Sequence, residues 1–336
     1  MTREAMLFEP LADGQVRCLL CAHRCLIKEG RRGICGVREN CDGVLYSLVY
    51  GAVIAENIDP IEKKPFFHLH PGSRSYSLAT VGCNFRCRFC QNHEISQLPR
   101  EAGTVPGKNA TPAEIVARAV DADARTIAYT YTEPTVFFEF AYDISRLARE
   151  RGIKNVFVTN GYLSEEALAT ISPYLDGANV DLKSFRDDFY RQQCGARLQP
   201  VLDTLVRMKT AGIWVEVTTL LIPGLNDSEE EIDQIAAFLA GLGKETPWHI
   251  SRFHPRYQMN DLPATPRERL QKAREIGRAQ GLKYVYSGNV PGDEGENTFC
   301  PGCGRLLIGR YGFCVESMML RNAACMHCGT PLDGVF

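Results

Sequence analysis

The middle of the chain, from about residue 76 to 295, alternates strand-like and helix-like segments. Seven apolar segments read as strands: residues 75–81, 126–131, 155–159, 178–182, 214–221, 249–253 and 284–287. A helix start is marked at 111–114, where Thr111 as N-cap precedes Pro112 and Glu114. Repeated β–α units predict an α/β fold with a parallel sheet, either doubly wound or a barrel. Functional groups should then lie at the carboxyl ends of the strands.

Two shorter regions flank this middle segment. Residues 1–75 hold a first cysteine group and an apolar, strand-like stretch at 44–50, and residues 296–336 form a Cys/Gly-rich tail. With 45% hydrophobic residues, 23% charged residues and a net charge of −2, the chain is not disordered as a whole, and nucleic acid or an anionic membrane is not expected as a partner. We see neither a signal peptide nor a membrane-spanning apolar run, so we expect a cytoplasmic protein.

Cysteine is concentrated in three places. Of fourteen cysteines, five lie between Cys18 and Cys41, three between Cys83 and Cys90, and five between Cys300 and Cys328. Thiols stay reduced in the cytosol, so such close spacing indicates metal ligands rather than disulfides. We therefore predict three separate metal sites along the chain.

The central group follows the first strand of the alternating region. Cys83, Cys87 and Cys90 have the spacing C-x3-C-x2-C, which can hold three corners of an iron–sulfur cubane. No fourth cysteine follows nearby, so one iron would remain open, as a catalytic metal site requires. A zinc knuckle or three unrelated buried thiols are the alternatives.

This spacing, with Phe89 before the last cysteine, resembles the signature of radical S-adenosylmethionine (SAM) enzymes. In that superfamily the amino and carboxylate groups of SAM chelate the open iron of a [4Fe–4S] cluster. One electron then cleaves SAM to methionine and a 5′-deoxyadenosyl radical, which abstracts a hydrogen atom. The resemblance places Phe89 next to these cofactors.

Further segments resemble one subfamily, the radical SAM proteins of the AmmeMemoRadiSam system, which are related to the pyruvate formate-lyase activating enzyme. These segments are residues 59–65, 70–72, 90–97, 131–135 and 248–255. The resemblance implies a partial (β/α)6-type TIM barrel between the N-terminal Cys-rich region and the tail. It also implies flavodoxin or ferredoxin as electron donor and a possible complex with the other two proteins of that system.

The resemblance also implies residues that hold SAM. Glu133 lies in Tyr-Thr-Glu-Pro (131–134), where the superfamily usually has Gly-Gly-Glu-Pro and the glutamate takes up the SAM ammonium group. Both glycines are replaced here, and a solvated loop glutamate is the alternative. Asn160 follows the third strand, and Asp181 and Lys183 end the fourth, in segments like those that contact the methionine end of SAM or a nearby cation. For Asp181 and Lys183, an ion pair with a purely structural role is the alternative.

Two more residues follow strand ends in the same way. His254, after the sixth strand, matches a histidine that the activating enzymes place near the ribose or adenine, and Asn289 follows the last strand. His249, near the start of the sixth strand, is expected to be structural.

The tail contains Cys300-x2-Cys303 and Cys325-x2-Cys328, a zinc-ribbon spacing in which Gly304 and Gly329 follow the two pairs. Four thiolates leave no open position, so this zinc would be structural. A rubredoxin-like iron site is the alternative. We expect Cys314 to be a buried apolar residue.

The first group, Cys18, Cys21, Cys25 and Cys35, matches neither a ribbon nor a ferredoxin spacing, and His23 is an alternative ligand. The intervening loop is basic and polar, so we expect a solvent-facing knuckle that binds zinc in place of a core. A second iron–sulfur cluster and a redox-active thiol set remain open.

Three functions are considered for a chain with these features. The first is a radical SAM enzyme acting on an unidentified small-molecule or protein substrate. The second is an activase that removes hydrogen from a backbone glycine of a glycyl radical enzyme. The third is a metal-bound scaffold without catalysis, but it would be expected to lack a cluster cysteine or Glu133, and all are present.

Overall fold

The computed structural model describes residues 2–336, and the first part of this range forms short antiparallel strands. They are β1 (Arg3–Glu4), β2 (Phe8–Pro10), β3 (Val16–Cys18), β4 (Leu26–Ile27), β5 (Arg38–Cys41), β6 (Val44–Ser47) and β7 (Ala52–Val53). Six of them build two three-stranded sheets, in the orders β1-β6-β5 and β2-β3-β4. Their apolar residues, including Val16 and Leu45, belong to the same hydrophobic core as the barrel.

An eight-stranded sheet forms the centre of the fold. The next strands in the chain are β8 (Ala55–Pro60), β9 (Arg74–Ala79), β10 (Lys108–Asn109), β11 (Thr126–Tyr129), β12 (Lys154–Thr159), β13 (Gly177–Asp181), β14 (Trp214–Leu221), β15 (Trp248–Arg252) and β16 (Val285–Gly288). The sheet order is β16-β15-β14-β13-β12-β11-β9-β8, while β10 pairs with β7. All neighbours from β9 to β16 are parallel, and only β8 is antiparallel to its neighbour.

The predicted α/β fold with a parallel core is thereby confirmed. The sheet has the seven parallel strands that the apolar segments predict, one more than the (β/α)6-type barrel that the resemblance implies, and β8, from the region predicted as N-terminal, is added at one edge. Within the described residues, β8 and β16 remain the two edges, so the barrel is open.

Nine α-helices accompany these strands within residues 2–336. They are α1 (His93–Ser96), α2 (Leu98–Glu101), α3 (Pro112–Asp121), α4 (Phe138–Glu150), α5 (Glu165–Ile171), α6 (Asp187–Phe189), α7 (Gln199–Thr210), α8 (Glu229–Leu242) and α9 (Arg267–Ala279). The predicted capping box at the start of α3 is present, since the side chains of Thr111 and Glu114 bond each other's backbone amides. None of the helices in this range has both the length and the apolar character needed to cross a membrane.

The tail consists of short strands at the amino end of the barrel. They are β17 (Thr298–Phe299), β18 (Leu306–Tyr311), β19 (Cys314–Met318), β20 (Leu320–Arg321) and β21 (Ala324–Cys325). Leu307 and Ile308 of β18 share a small hydrophobic core with Phe67 and Tyr286. The tail is thus packed on the barrel through apolar contacts.

A buried polar network reinforces this end of the barrel. Glu216 accepts hydrogen bonds from the backbone amides of Phe67 (3.0 Å) and His68 (2.9 Å), and its Oε2 lies 2.7 Å from His249 Nε2. Burial opposes ionisation, but these hydrogen bonds hold the pKa of Glu216 below its usual value. His68 contacts the tail through the carbonyl of Asp333, 2.6 Å from its Nδ1. His249 is therefore structural, as its position in the sequence indicates.

We expect Glu216→Gln to lower the free energy of unfolding by about 3 kcal/mol, because one carboxylate oxygen becomes an NH2 group and the buried donors that face this oxygen lose their acceptor. Chemical denaturation measures this. The control is Glu9→Gln, whose exposed pair with Arg17 should contribute less than about 1 kcal/mol. Equal stability of the two variants would contradict a role for this network in holding the barrel end.

Candidate functional site

A cavity of about 530 Å³ lies at the carboxyl ends of the parallel strands. This volume is in the range of small-molecule sites. Most of the residues predicted to hold the cofactors line it: Cys83, Cys87, Phe89, Cys90, Glu133, Asn160, Asp181, Lys183 and Asn289. They reach one cavity because parallel strands end at one edge of a sheet.

The loop with the three central cysteines directly follows β9 and is held on both sides. Gly82 has φ +100°, and a Cβ atom there would lie 2.7 Å from Cγ1 of Val37, so glycine is required. On the other side, the amides of Arg86 and Arg88 donate to the carbonyls of Cys194 (2.8 Å) and Gln193 (3.0 Å). The loop is thus wedged between the N-terminal region and the turn before Gly195.

The three central sulfurs line one cavity without forming a compact set. Only the four tail cysteines, among residues 2–336, form a group of three or more such ligands within 4.8 Å of one another. Wider spacing suits thiolates that bind different irons of a cluster rather than one ion. Burial raises the pKa of the Cys83 thiol, and the Glu133 carboxylate adds to this, so ionised thiols here need a bound cation.

Glu133 is buried in the cavity wall at 1% exposure, and its carboxylate is held by four donors. These are the amide and hydroxyl of Thr135 (3.0 and 2.6 Å), the hydroxyl of Thr159 (2.8 Å) and the amide of Asn160 (2.8 Å). Burial raises the pKa of Glu133, while the hydrogen bonds favour its ionised form. The result is a fixed acidic group that a cationic ligand can approach from the cavity.

Tyr131 occupies the place of the first glycine of the Gly-Gly-Glu-Pro pattern and keeps a glycine-like backbone, with φ +62°. This conformation costs a tyrosine about 1–2 kcal/mol. Local contacts hold it: Asn92 Nδ2 donates to its carbonyl (2.7 Å), its hydroxyl donates to Asp59, and Lys64 Nζ lies 4.2 Å from its ring centre. The residue that replaces this glycine therefore has a backbone conformation that glycine adopts easily.

No role was predicted from the sequence for Asp59 or Lys64. Lys64 lines the cavity, is 2% exposed and lies 2.6 Å from Asp59. Burial lowers the pKa of Lys64 to about 8, although Asp59 partly opposes this. The one sequence feature that could have indicated them is segment 59–65, which resembles the subfamily but does not indicate what these two residues do.

Asp181 and Lys183 face the cavity together and form an ion pair of 2.8 Å. Asn289 is exposed at the rim, where its Nδ2 donates to Ser251 Oγ (2.9 Å). His254 is different: it is exposed and lies outside the set of residues that line the cavity. The carbonyl of His254 accepts a hydrogen bond from Nε2 of Gln91, which lines the cavity (3.4 Å), so this residue lies beside the cavity while its side chain is not part of the lining.

The four tail cysteines form the compact set. The Sγ atoms of Cys300 and Cys328 are 3.6 Å apart, and those of Cys303 and Cys325 are 3.8 Å apart. Gly304 and Gly329 have φ of +72° and +76°, and their amides close the two turns. The burial predicted for Cys314 is wrong, because this residue is exposed on β19.

The four N-terminal cysteines, Cys18, Cys21, Cys25 and Cys35, line a second cavity, which Asn84 also borders. His23 Nε2 lies 2.8 Å from the Asn84 carbonyl and is engaged there. The second cavity is therefore adjacent to the loop of the central cysteines.

Comparisons with known proteins agree with this arrangement. The radical SAM superfamily profile matches residues 77–239. An uncharacterised protein of Methanocaldococcus jannaschii is 50% identical over 334 residues, covering 98% of this chain and 99% of that protein. The pyruvate formate-lyase-activating enzyme of Clostridium pasteurianum is 24% identical, covering 57% of this chain and 84% of that enzyme. A radical SAM methyltransferase structure from Sphaerobacter thermophilus has a TM-score of 0.51, with 19% identity over 68% of this chain and 71% of that one.

Proposed function

This chain belongs to the radical SAM superfamily, and we propose that its large cavity holds a [4Fe–4S] cluster on Cys83, Cys87 and Cys90 with SAM beside it. When bound, these cofactors supply the reductive cleavage of SAM to methionine and a 5′-deoxyadenosyl radical. The observation that carries the proposal is that three thiols and a buried carboxylate, Glu133, line the same cavity. The residues that line it fit both cofactors.

The roles of the other lining residues follow from their charge and position. Glu133 is assigned to the SAM ammonium group because it is a buried carboxylate in the cavity wall, and its four donors hold it in place. Asp181 and Lys183 contact the methionine end of SAM, where an ion pair can exchange partners with an amino acid. Asn160, whose Nδ2 donates to Asn84 Oδ1 (2.7 Å), keeps the cavity wall in place. Asn289 at the rim is assigned to the adenosyl end.

The substrate is an unidentified small molecule or protein, and flavodoxin or ferredoxin is the proposed electron donor. An activase for a glycyl radical enzyme is the second candidate, favoured by the similarity to the pyruvate formate-lyase-activating enzyme. We also propose that the protein forms a complex with the other two proteins of the AmmeMemoRadiSam system.

The chain is proposed to comprise three domains: the N-terminal Cys-rich region (1–75), the radical SAM barrel (76–295) and the zinc-ribbon-like tail (296–336).

The tail set is proposed to bind a structural zinc ion. Zinc–sulfur bonds of about 2.3 Å in a tetrahedron separate the sulfurs by about 3.8 Å. The observed separations of 3.6 and 3.8 Å fit this geometry. Backbone amides of Gly302 and His327 also point to thiols of the set, at 3.4 Å each.

The function is tested by incubating anaerobically reconstituted protein with SAM, a reductant and candidate substrates. We expect 5′-deoxyadenosine to form, and deuterium to enter it from the true substrate when that substrate is labelled. Cys87→Ala should abolish the cleavage, because only two thiolates would remain for the cluster. Cys41→Ala, outside both cavities, is the control. Full cleavage by Cys87→Ala would overturn the proposal.

For Glu133→Gln we expect SAM binding weaker by about 2–5 kcal/mol, because the variant keeps the shape of the side chain and removes its buried charge. Titration calorimetry of reconstituted protein measures this, with iron content unchanged. Glu165→Gln is the control, since its side chain is 72% exposed. If the affinity for SAM is unaltered, another acidic residue must bind the ammonium group, and Asp181 is the next candidate.

Purified protein is expected to contain about one zinc ion per chain in the tail. Cys325→Ser should remove this zinc and leave the iron content unchanged, as shown by elemental analysis, while Cys314→Ser should keep both metals. Iron in place of zinc in the tail would instead support the rubredoxin-like alternative.

A further inference from the structure

The N-terminal cysteines are part of the main core rather than a solvent-facing knuckle. Cys18 and Cys35 are 5% and 8% exposed and pack in the same hydrophobic core as the barrel. The chain around Cys21 is bonded to the barrel, since the amide of Ala22 donates to the Tyr162 carbonyl (3.0 Å). A metal here is therefore not needed as a substitute for a missing core, which was the reason to expect zinc.

The spacing of the four thiols differs from that of a zinc site. The tail set, with all ligand atoms within 4.8 Å of one another, is the only such group in the described part of the chain, so no three N-terminal sulfurs meet this limit. A tetrahedral zinc ion would need separations of about 3.8 Å. In this respect the N-terminal set resembles the central cysteines, whose thiols are also spread around a cavity.

Two residues that border the N-terminal cavity each have a buried N–H donor without a partner. Arg38 Nε and Asn84 Nδ2 have no hydrogen-bond acceptor among residues 2–336, and their residues are 2% and 1% exposed. A buried donor without a partner destabilises the folded protein, because it has lost its hydrogen bonds to water. The charge of Arg38 is balanced by Glu139, at 2.8 and 3.0 Å, so its free Nε remains to be satisfied. An anionic, sulfur-rich group in the cavity would give both donors an acceptor.

The second cavity also adjoins the central site. Asn84 borders the N-terminal cavity, while its neighbours Cys83 and Phe85 line the large one. A Cβ atom on Gly82 would lie 3.2 Å from the carbonyl oxygen of Cys35, which shows that the two segments are in contact. The loop of residues 82–85 therefore lies between the two cavities and borders both.

From this arrangement we propose that Cys18, Cys21, Cys25 and Cys35 hold a second [4Fe–4S] cluster. Four thiolates leave no iron open, so this cluster does not bind SAM. Its position beside the central loop suits electron transfer: a one-electron donor of the flavodoxin or ferredoxin class reduces it, and it then passes that electron to the central cluster and returns to its oxidised state. This relay rests on the function proposed above, whereas the presence of the cluster does not.

The N-terminal cluster site is tested in a variant that lacks the three cysteine ligands of the central cluster. A Cys83→Ala/Cys87→Ala/Cys90→Ala variant, reconstituted anaerobically with iron and sulfide, should still hold about four irons per chain. After reduction it should show the paramagnetic resonance signal of a [4Fe–4S] cluster, unchanged by SAM. In the same background, Cys41→Ala should keep this iron, and a further Cys18→Ala/Cys35→Ala change should remove it. A triple variant without iron but with a second zinc would overturn the proposal and restore the zinc prediction.

The converse variant separates this inference from the proposed function. Cys18→Ala/Cys35→Ala in the otherwise unaltered chain should lose about half of the iron and keep a resonance signal that changes with SAM. That response also shows that the variant is folded. If the signal remains but no iron is lost, the second cluster is wrong and the proposed function stands. If iron is held only at the N-terminal set, the proposed function fails instead.

The relay has its own measurement. Reduction of the central cluster by reduced flavodoxin should slow at least tenfold in Cys18→Ala/Cys35→Ala, while reduction by dithionite, a small diffusible reductant, should be unchanged. Equal rates with flavodoxin in the variant and the parent protein would overturn the relay.

Discussion

The parallel pairing of seven strands is the constraint on which the site depends. In register from β9 to β16, these strands all end at one edge of the sheet, so groups that are far apart in the sequence meet there. The central cysteine loop follows β9, Glu133 follows β11, Asn160 follows β12, and Asp181 ends β13. Backbone hydrogen bonds across the sheet fix the distances between these groups, and loops alone would not.

Buried charge is tolerated in this molecule where donors or counter-charges surround it. Glu133 has four hydrogen-bond donors, and Arg38 is paired with Glu139 across the contact between the N-terminal region and α4. Glu216 anchors the opposite end of the barrel. Unpartnered, each would carry a desolvation penalty of several kcal/mol. The Arg38–Glu139 pair thus joins the N-terminal region to the barrel by charge as well as by apolar packing.

The three cysteine groups differ in how far the fold spreads their sulfurs. The tail hairpins draw four thiols into a set the size of one metal ion. The central and N-terminal thiols are held apart around cavities, by the sheet edge in one case and by small antiparallel sheets in the other. Spacing along the chain does not reveal this difference, because C-x2-C pairs occur in all three groups.

The sequence by itself determined the strands of the barrel, the capped start of α3 and the cysteine groups, because local periodicity and spacing encode them. Tertiary structure decided what depends on contacts between distant segments. It joined Lys64 and Asp59 to Tyr131, placed His254 outside the cavity and exposed Cys314. It also buried the N-terminal cysteines against the barrel, although their loop reads as polar and solvent-facing. Burial and the separation of thiols arise only when the chain packs, so no local pattern could specify which metal group each set accepts.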